Sequence, residues 1–422
     1  MTGVLRYDGA SQFGIDHKWA LFPALSASWH LSRENFMANA PLSLSDLRLR
    51  VGYGLQGNPA VPAYASQILL ATPSGARYIF GESPVTGVIP TSDPNPNLKW
   101  EQTAQHNLAL DYGFMNNRFT GTIEYYVKNT KDLILTVTVP PPAPASTRLE
   151  NVGKIRNRGL EWTLDAVVVN RPGLSWRAGL VFAAERNTVV DLGPYTFLTS
   201  GGVSGQGQTG QVSQRIFAGH PLGTFYGPVF VGWDTAGKQL FRCSSGAGCV
   251  NGQTLTPGSK DYAVIGNANP DFTLGVNSQV SWGKFNISAL IRAEVGQDVF
   301  NNTALVYSTK SNALQGKNFL STALNDPTGI REPAIFSSRW IEKGTYLRLQ
   351  NLTVDYQLTL PGFAGARSAR AYVSGDNLLL LTGYSGYDPE VQAGYQGLGV
   401  RGIDYLSYPR PRTITGGLRV AF

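Results

Sequence analysis

The chain has 422 residues, of which 42 % are hydrophobic and only 15 % charged. Soluble domains average about 25 % charged residues, so the low value suits a chain with much of its surface out of water, or a large secreted β-protein. The 35 Lys and Arg exceed the 28 Asp and Glu, for a net charge of +7, but they are scattered with no run of five or six, which argues against nucleic-acid binding.

No run of about 18 apolar residues occurs, so no transmembrane helix is expected. Aromatic residues make up 11 %, with 48 Gly and 19 Tyr. A transmembrane barrel fits this balance, because its lipid face cannot carry charge. The N-terminus, Met1 to Asp8, has no basic start followed by an apolar core and is no secretory signal. A barrel would need one for export, so either the barrel reading fails or the chain is the C-terminal part of a longer protein.

In chain order, residues 1–8 read as the end of a strand, followed by a turn at Asp8-Gly9-Ala10-Ser11. Residues 18–31 put Leu25, Ala27, Trp29 and Leu31 on one face. Residues 45–57 alternate cleanly, with Leu47, Leu49, Val51, Tyr53 and Leu55 against Asp46, Arg48, Arg50 and Gly52. The clearest hairpin is Gln105–Val127. Leu108, Leu110 and Tyr112 share a face on its first arm, and Phe119, Ile123, Tyr125 and Val127 on its second. Period-two alternation marks strands with one apolar side, and Met115-Asn116-Asn117 suits the turn.

Further hairpins join 160–168 to 176–182 through Asn170–Gly173, and 272–282 to 285–291 through Gly283-Lys284. Strands follow at 345–358 and 368–379. The last arm sets Ile414, Leu418, Val420 and Phe422 against Thr413, Thr415 and Arg419.

The connections sort by length. Those near 114–117, 170–173, 283–284 and 359–367 are short, and those at 58–103, 129–157, 186–270, 296–344 and 379–411 are long. Outer-membrane barrels have short periplasmic turns and long extracellular loops. Structureless loops this long would be odd in a compact soluble domain. Strand direction then requires 186–270 to stay on one side, so the strand-like Phe225–Trp233 is expected in a loop. About twelve spans result, with Phe422 at the periplasmic rim.

An ordered set of short stretches carries a family resemblance. They include Arg6–Gly14, Phe22–Trp29, Leu47–Asn58, Asn95-Pro-Asn-Leu-Lys-Trp-Glu101, Asn116–Gly121 and Tyr125–Lys128. Glu150-Asn-Val-Gly-Lys154, Asn157–Glu161, Leu222-Gly-Thr-Phe-Tyr-Gly227, Ile265-Gly-Asn-Ala-Asn-Pro270, Tyr346–Leu352 and Val373-Ser-Gly-Asp-Asn-Leu378 continue it. In this order they resemble the C-terminal half of SusC/RagA-type TonB-dependent outer-membrane receptors, over essentially the whole of 1–422.

The resemblance implies an all-β fold, an antiparallel transmembrane barrel supplying part of a 22-stranded wall around a plug. The plug and the first strands would lie upstream. It implies import of an oligosaccharide or peptide, energised through the TonB complex. It also implies a SusD-like surface lipoprotein over the loops, outer-membrane lipid around the wall, and a Gram-negative outer-membrane location. The family's acidic loop before the Ile265 motif is replaced here by Ser244–Gly252, so no metal is expected.

Five loop aromatics, Trp233, Tyr384, Tyr387, Tyr395 and Tyr405, are candidate substrate contacts, since aromatic faces stack on sugar rings. Packing of loop against loop, or of loop against the lid protein, is the competing reading for each. Trp19, Trp29, Trp162, Trp176 and Trp282 lie on or beside spans and suit an interfacial girdle or a lipid-facing position. Phe422 resembles the C-terminal signal read by the barrel-assembly machinery. Cys243 and Cys249, in a Gly/Ser-rich loop, could close a small disulfide. Two thiols without a nearby His make a poor zinc site.

Gly232–Lys238 nearly fits a phosphate loop, but Gln239 stands where Ser or Thr is needed. The histidines His17, His30, His106 and His220 are dispersed, and no catalytic set can be argued. The sequence therefore reads as a non-enzymatic importer. A passive porin or adhesin-like barrel is one alternative, and a secreted soluble β-protein such as a lectin is another.

Overall fold

The computed structural model describes all residues except 38–42, 74, 245, 247, 326–332, 360–366 and 392–398, and only the backbone of Leu314 and Asn325. Twelve strands form one antiparallel sheet in which every strand pairs with its neighbours in sequence. They are β1 (Thr2–Gly9), β2 (Trp19–His30), β3 (Leu44–Asn58), β4 (Glu101–Phe114), β5 (Phe119–Lys131) and β6 (Lys154–Arg171). Then come β7 (Leu174–Asp191), β8 (Phe272–Trp282), β9 (Phe285–Val295), β10 (Tyr346–Leu358), β11 (Ser368–Thr382) and β12 (Thr413–Ala421). The sheet is open, with β1 and β12 as its edges.

The register sorts the wall into rows. Trp29, Leu49, Leu110, Ile123, Trp162, Phe182, Leu274, Ala293, Leu347 and Leu381 pair in turn across ten strands, and all are apolar. One residue along, the row reads Arg50, Ala109, Glu124, Glu161, Ala183, Thr273, Glu294, Tyr346 and Thr382. Because strand side chains alternate, these rows lie on opposite faces.

Among the described residues, nothing packs over the middle of the apolar face. Leu108 is 50 % exposed, Tyr125 46 % and Trp282 66 %. A soluble sandwich would cover this face with a second sheet. A barrel wall leaves it to lipid. Trp29, Trp176 and Trp282 cluster on this face toward the short-turn end, as an interfacial girdle requires.

An extra residue at Gln350 shifts the pairing between β9 and β10. Odd-numbered Leu347 and Leu349 thereby share the outer face with even-numbered Leu352 and Val354, the usual effect of a bulge.

The long connections are not structureless. The segment Ile134–Thr138 pairs with Thr147–Asn151 as a loop hairpin. Thr224–Pro228 and Phe230–Trp233 belong to two small sheets inside the 192–271 connection and not to the wall. The 296–345 connection contains an α-helix, α1 (Asn302–Tyr307), whose N-cap Asn301 accepts the Ala304 amide at 2.8 Å.

The fold's largest core lies in the loops. Phe225, Phe300, Leu305, Phe336, Trp340 and Ile403 are buried together from three separate connections. The Phe300 ring meets Phe336 edge-on at 4.8 Å.

Candidate functional site

The stretches that stand out in the sequence meet where strands give way to loops. Asn95 Oδ1 accepts the Asn97 amide, and its Nδ2 donates to the Leu149 carbonyl at 2.8 Å. Asn151 Oδ1 accepts the Lys99 amide, while its Nδ2 donates to the Lys99 and Asp132 carbonyls. Trp100 and Leu98 are buried against Phe13 and Phe22, and the Trp100 indole donates to the Lys18 carbonyl.

Gly14 closes this seam. Its amide donates to the Leu98 carbonyl, and a Cβ on it would lie 1.8 Å from the Pro96 carbonyl oxygen. Gly14→Ala is expected to cost about 1–3 kcal/mol by overpacking and to expose the 95–101 stretch to protease, read by limited proteolysis.

A second seam links β6 and β7 to the next loop. Asn187 Nδ2 donates to Asn157 Oδ1 and its Oδ1 accepts the Leu222 amide, while Asn269 Nδ2 donates to the Leu222 carbonyl. A cavity of ≈ 400 Å³ opens beside it, with Glu185, Asn187, Glu294 and Arg401 among its lining.

The inner face carries charge in two groups. On β3 to β5, Arg50 binds Asp111 through Nε at 2.8 Å and Nη2 at 2.9 Å, and the Thr122 hydroxyl donates to the same carboxylate. On β9 to β11, Arg348 is fully buried. It donates to Asn377 Oδ1 at 2.6 Å and to Asp388 Oδ1 at 2.6 Å. Glu390 receives Arg348, Arg292 and Arg410 at 3.1, 3.2 and 3.0 Å. A buried arginine is tolerable only when paired in this way.

Asn377 adopts φ 53° in the irregular pairing of β10 with β11. This left-handed geometry, which Asn tolerates, lets its amide also reach the Arg410 carbonyl at 3.1 Å. Sequence reasoning missed this network. The Asp376-Asn377 pair was its one local signal, since the partners lie tens of residues apart.

The candidate aromatics separate. Trp233 and Tyr405 pack against the loop core, and the Arg339 guanidinium stacks 4.6 Å over the Trp233 ring. Tyr384 is 5 % exposed, and its hydroxyl donates to Asp404 at 2.6 Å. Gly386 fits beneath its ring, where a Cβ would lie 2.4 Å away. Tyr387 is 77 % exposed. Tyr395 lies outside the described residues.

Cys243 and Cys249 are joined as a disulfide. Phe422 is exposed at the end of the chain, beyond β12. His30 and Ser32 both bind Asp46, at 2.6 and 3.1 Å, the Ser32 hydroxyl donating to the carboxylate. Among the described residues, no group of three or more His, Cys, Asp or Glu could hold a metal.

Burial first, and then the Asp404 carboxylate, push the Tyr384 phenol far above its ordinary value. Below pH about 10 the phenol is neutral folded or unfolded; above it the unfolded chain loses the proton and the folded one does not. Its contribution is therefore present below about 10 and lost as pH rises beyond. Protease protection of the 383–412 loop is expected to fall between pH 9 and 11. Tyr384→Phe should flatten that dependence and cost about 1.5–3 kcal/mol.

A family model described as TonB dependent receptor-like, beta-barrel, matches residues 2–378. The chain belongs to the TonB-dependent receptor β-barrel family. Over its whole length it is 31 % identical to TonB-dependent receptor P3 of Formosa agariphila, across 44 % of that protein. It is 28 % identical to TonB-dependent receptor SusC of Bacteroides thetaiotaomicron, across 42 % of it.

Among solved structures, the RagAB peptide importer in its closed-closed state superposes on all of this chain with a TM-score of 0.83, at 24 % identity and over 45 % of that chain. That likeness shows the fold. This TonB-dependent receptor barrel spans less than half the length of the curated relatives it matches. Its place is the outer membrane of a Gram-negative bacterium.

Proposed function

We propose that this chain forms the last twelve strands of a plugged, SusC/RagA-like importer. It takes up an oligomeric nutrient of glycan or peptide class across the outer membrane. The observation that carries the reading is the wall itself, with an uncovered apolar row on one face, a charged row on the other and a packed body formed by the long connections. The likeness to the TonB-dependent receptor SusC and to the RagAB peptide importer supports import over a passive porin or a soluble lectin.

In this proposal the long connections 59–100, 132–153, 192–271, 296–345 and 383–412 are extracellular. A SusD-like surface lipoprotein covers them, and energy reaches the barrel from TonB through a plug outside these 422 residues. Phe422 serves the barrel-assembly machinery. The protein acts by binding, occlusion and release, without covalent chemistry. Of the loop aromatics, Tyr387 is open enough to stack on a ligand, while Trp233, Tyr384 and Tyr405 hold the loops in shape.

Reading the coding sequence upstream of Met1 tests this. A continuous frame with a signal peptide, a plug and about ten more alternating strands is expected, for a 22-stranded barrel. A frame with further strands but no plug would favour a passive barrel. A signal peptide directly before Met1 with no further strands would favour a secreted β-protein.

A further inference from the structure

The mouth of the barrel over β10 to β12 holds more positive charge than the wall needs. A cleft of ≈ 270 Å³ there is lined by Asn377, Leu380, Tyr387, Asp388, Arg410 and Arg412. Leu380 pairs with Arg348, so the cleft belongs to the inner, polar face. Its acidic groups are already engaged. Asp388 takes Arg348 at 2.6 Å and the Glu390 amide at 2.9 Å, with Arg410 at 3.8 Å. Glu390 takes three guanidinium groups.

Around this cluster stand Arg292, Arg348, Arg401, Arg410 and Arg412, against Glu294, Asp388 and Glu390. Asp376, paired with Thr413 beside Arg412 and taking the Asn351 amide at 2.7 Å, is a fourth anion, so five cations face four and leave an excess of one. Arg412 is exposed and forms no ion pair among the described residues. The Arg348 Nε is buried without a hydrogen-bond partner. Beside these cations the Tyr387 ring is open to solvent. Guanidinium groups bind carboxylates through paired, charge-assisted hydrogen bonds, and an open ring covers the apolar face of a bound segment.

We infer that this cleft is a subsite for a carboxylate-bearing segment of the imported oligomer. Arg412 is its charge contact, Arg410 its second donor and Tyr387 its platform. The inference rests on the importer reading and narrows the substrate class to anionic oligomers. Asp388 stays in the cleft as the group that aims Arg410, its own charge held by Arg348.

The test uses the protein extracted in detergent from its own outer membranes. Four ligands are titrated: an oligogalacturonate, its methyl ester, an acidic peptide and its amidated counterpart of equal length. One acidic member is expected to bind at least about tenfold more tightly than its neutral partner, and which series responds identifies the carboxylate as a sugar acid or a peptide acid. Arg412→Gln and Tyr387→Ala should each lose about tenfold for that acid, and Arg412→Gln should leave the neutral partner unchanged. Both positions are exposed, and an unaltered heat-modifiable gel shift confirms the fold. Equal binding of acid and neutral forms, or an Arg412→Gln variant with full affinity for the acid, overturns the subsite and leaves the importer reading standing. Binding of none of the four counts against both.

Discussion

Leu108→Arg is expected to destabilise the barrel by about 2–4 kcal/mol, whereas Glu161→Arg, on the adjoining row, should cost nothing or stabilise it. Leu108 lies near the middle of β4, pairs with Val51 and Tyr125, and is half exposed on the uncovered face. In lipid, an arginine there has no water to solvate it. Glu161 is on the opposite face, directly across from Glu124, and like charges opposite one another repel. Arginine at 161 replaces that repulsion with attraction. Urea unfolding in lipid vesicles, followed by heat-modifiable mobility, reads both. In a soluble protein the order would differ, since an exposed Leu108 would accept arginine at little cost.

Phe300→Ala is expected to cost about 3–5 kcal/mol, confined to the loops. The ring is fully buried against Phe225 and Phe336, at 6.4 and 4.8 Å. Around it, the Phe300 amide donates to the Gly402 carbonyl, and Ile403 lies alongside in a parallel bridge. Truncation leaves a cavity where three connections meet. Hydrogen exchange should accelerate across 296–325 and 399–406 while amides of β4 to β7 stay protected. Exchange that rises equally in wall and loops would mean that they unfold as one unit, contrary to their separate cores.

The wall was legible because its physics is local. Leu47, Leu49, Val51, Tyr53 and Leu55 alternate whatever lies beside them, and the Met115–Asn117 turn has three residues at positive φ, as its composition suggests. Sorting short from long connections placed Phe225–Trp233 in a loop, which the separate sheets bear out. The bulge at Gln350 was invisible, since the extra residue disguises Leu347 and Leu349 as members of the other face.

The loop interiors were not legible. Helix α1 depends on the Asn301 cap and on burial of Leu305 and Val306, and neither follows from a periodic pattern of six residues. Aromatic content could not say whether a ring faces a ligand or a neighbour. Tyr384 is committed to Asp404 twenty residues on, and Tyr387, three residues after Tyr384, is open. The Arg348 cluster joins β9, β10 and the last loop across 40 residues of chain from Arg348 to Asp388, beyond any spacing rule.

The most direct test of the central claim, that the apolar row faces lipid and the charged row the lumen, is cysteine labelling along β4. Single cysteines at positions 106 to 112 would be probed in intact outer-membrane vesicles with a water-soluble maleimide, the native pair Cys243–Cys249 being already bonded. Alternation is the predicted result: cysteines at 107 and 111 label from water, those at 106, 108, 110 and 112 react only with a lipid-soluble reagent, and the one at 109, where Ala109 is buried, is left out of the comparison. Equal labelling of both sets by the water-soluble reagent, without detergent, would contradict the account and return the chain to the soluble β-proteins.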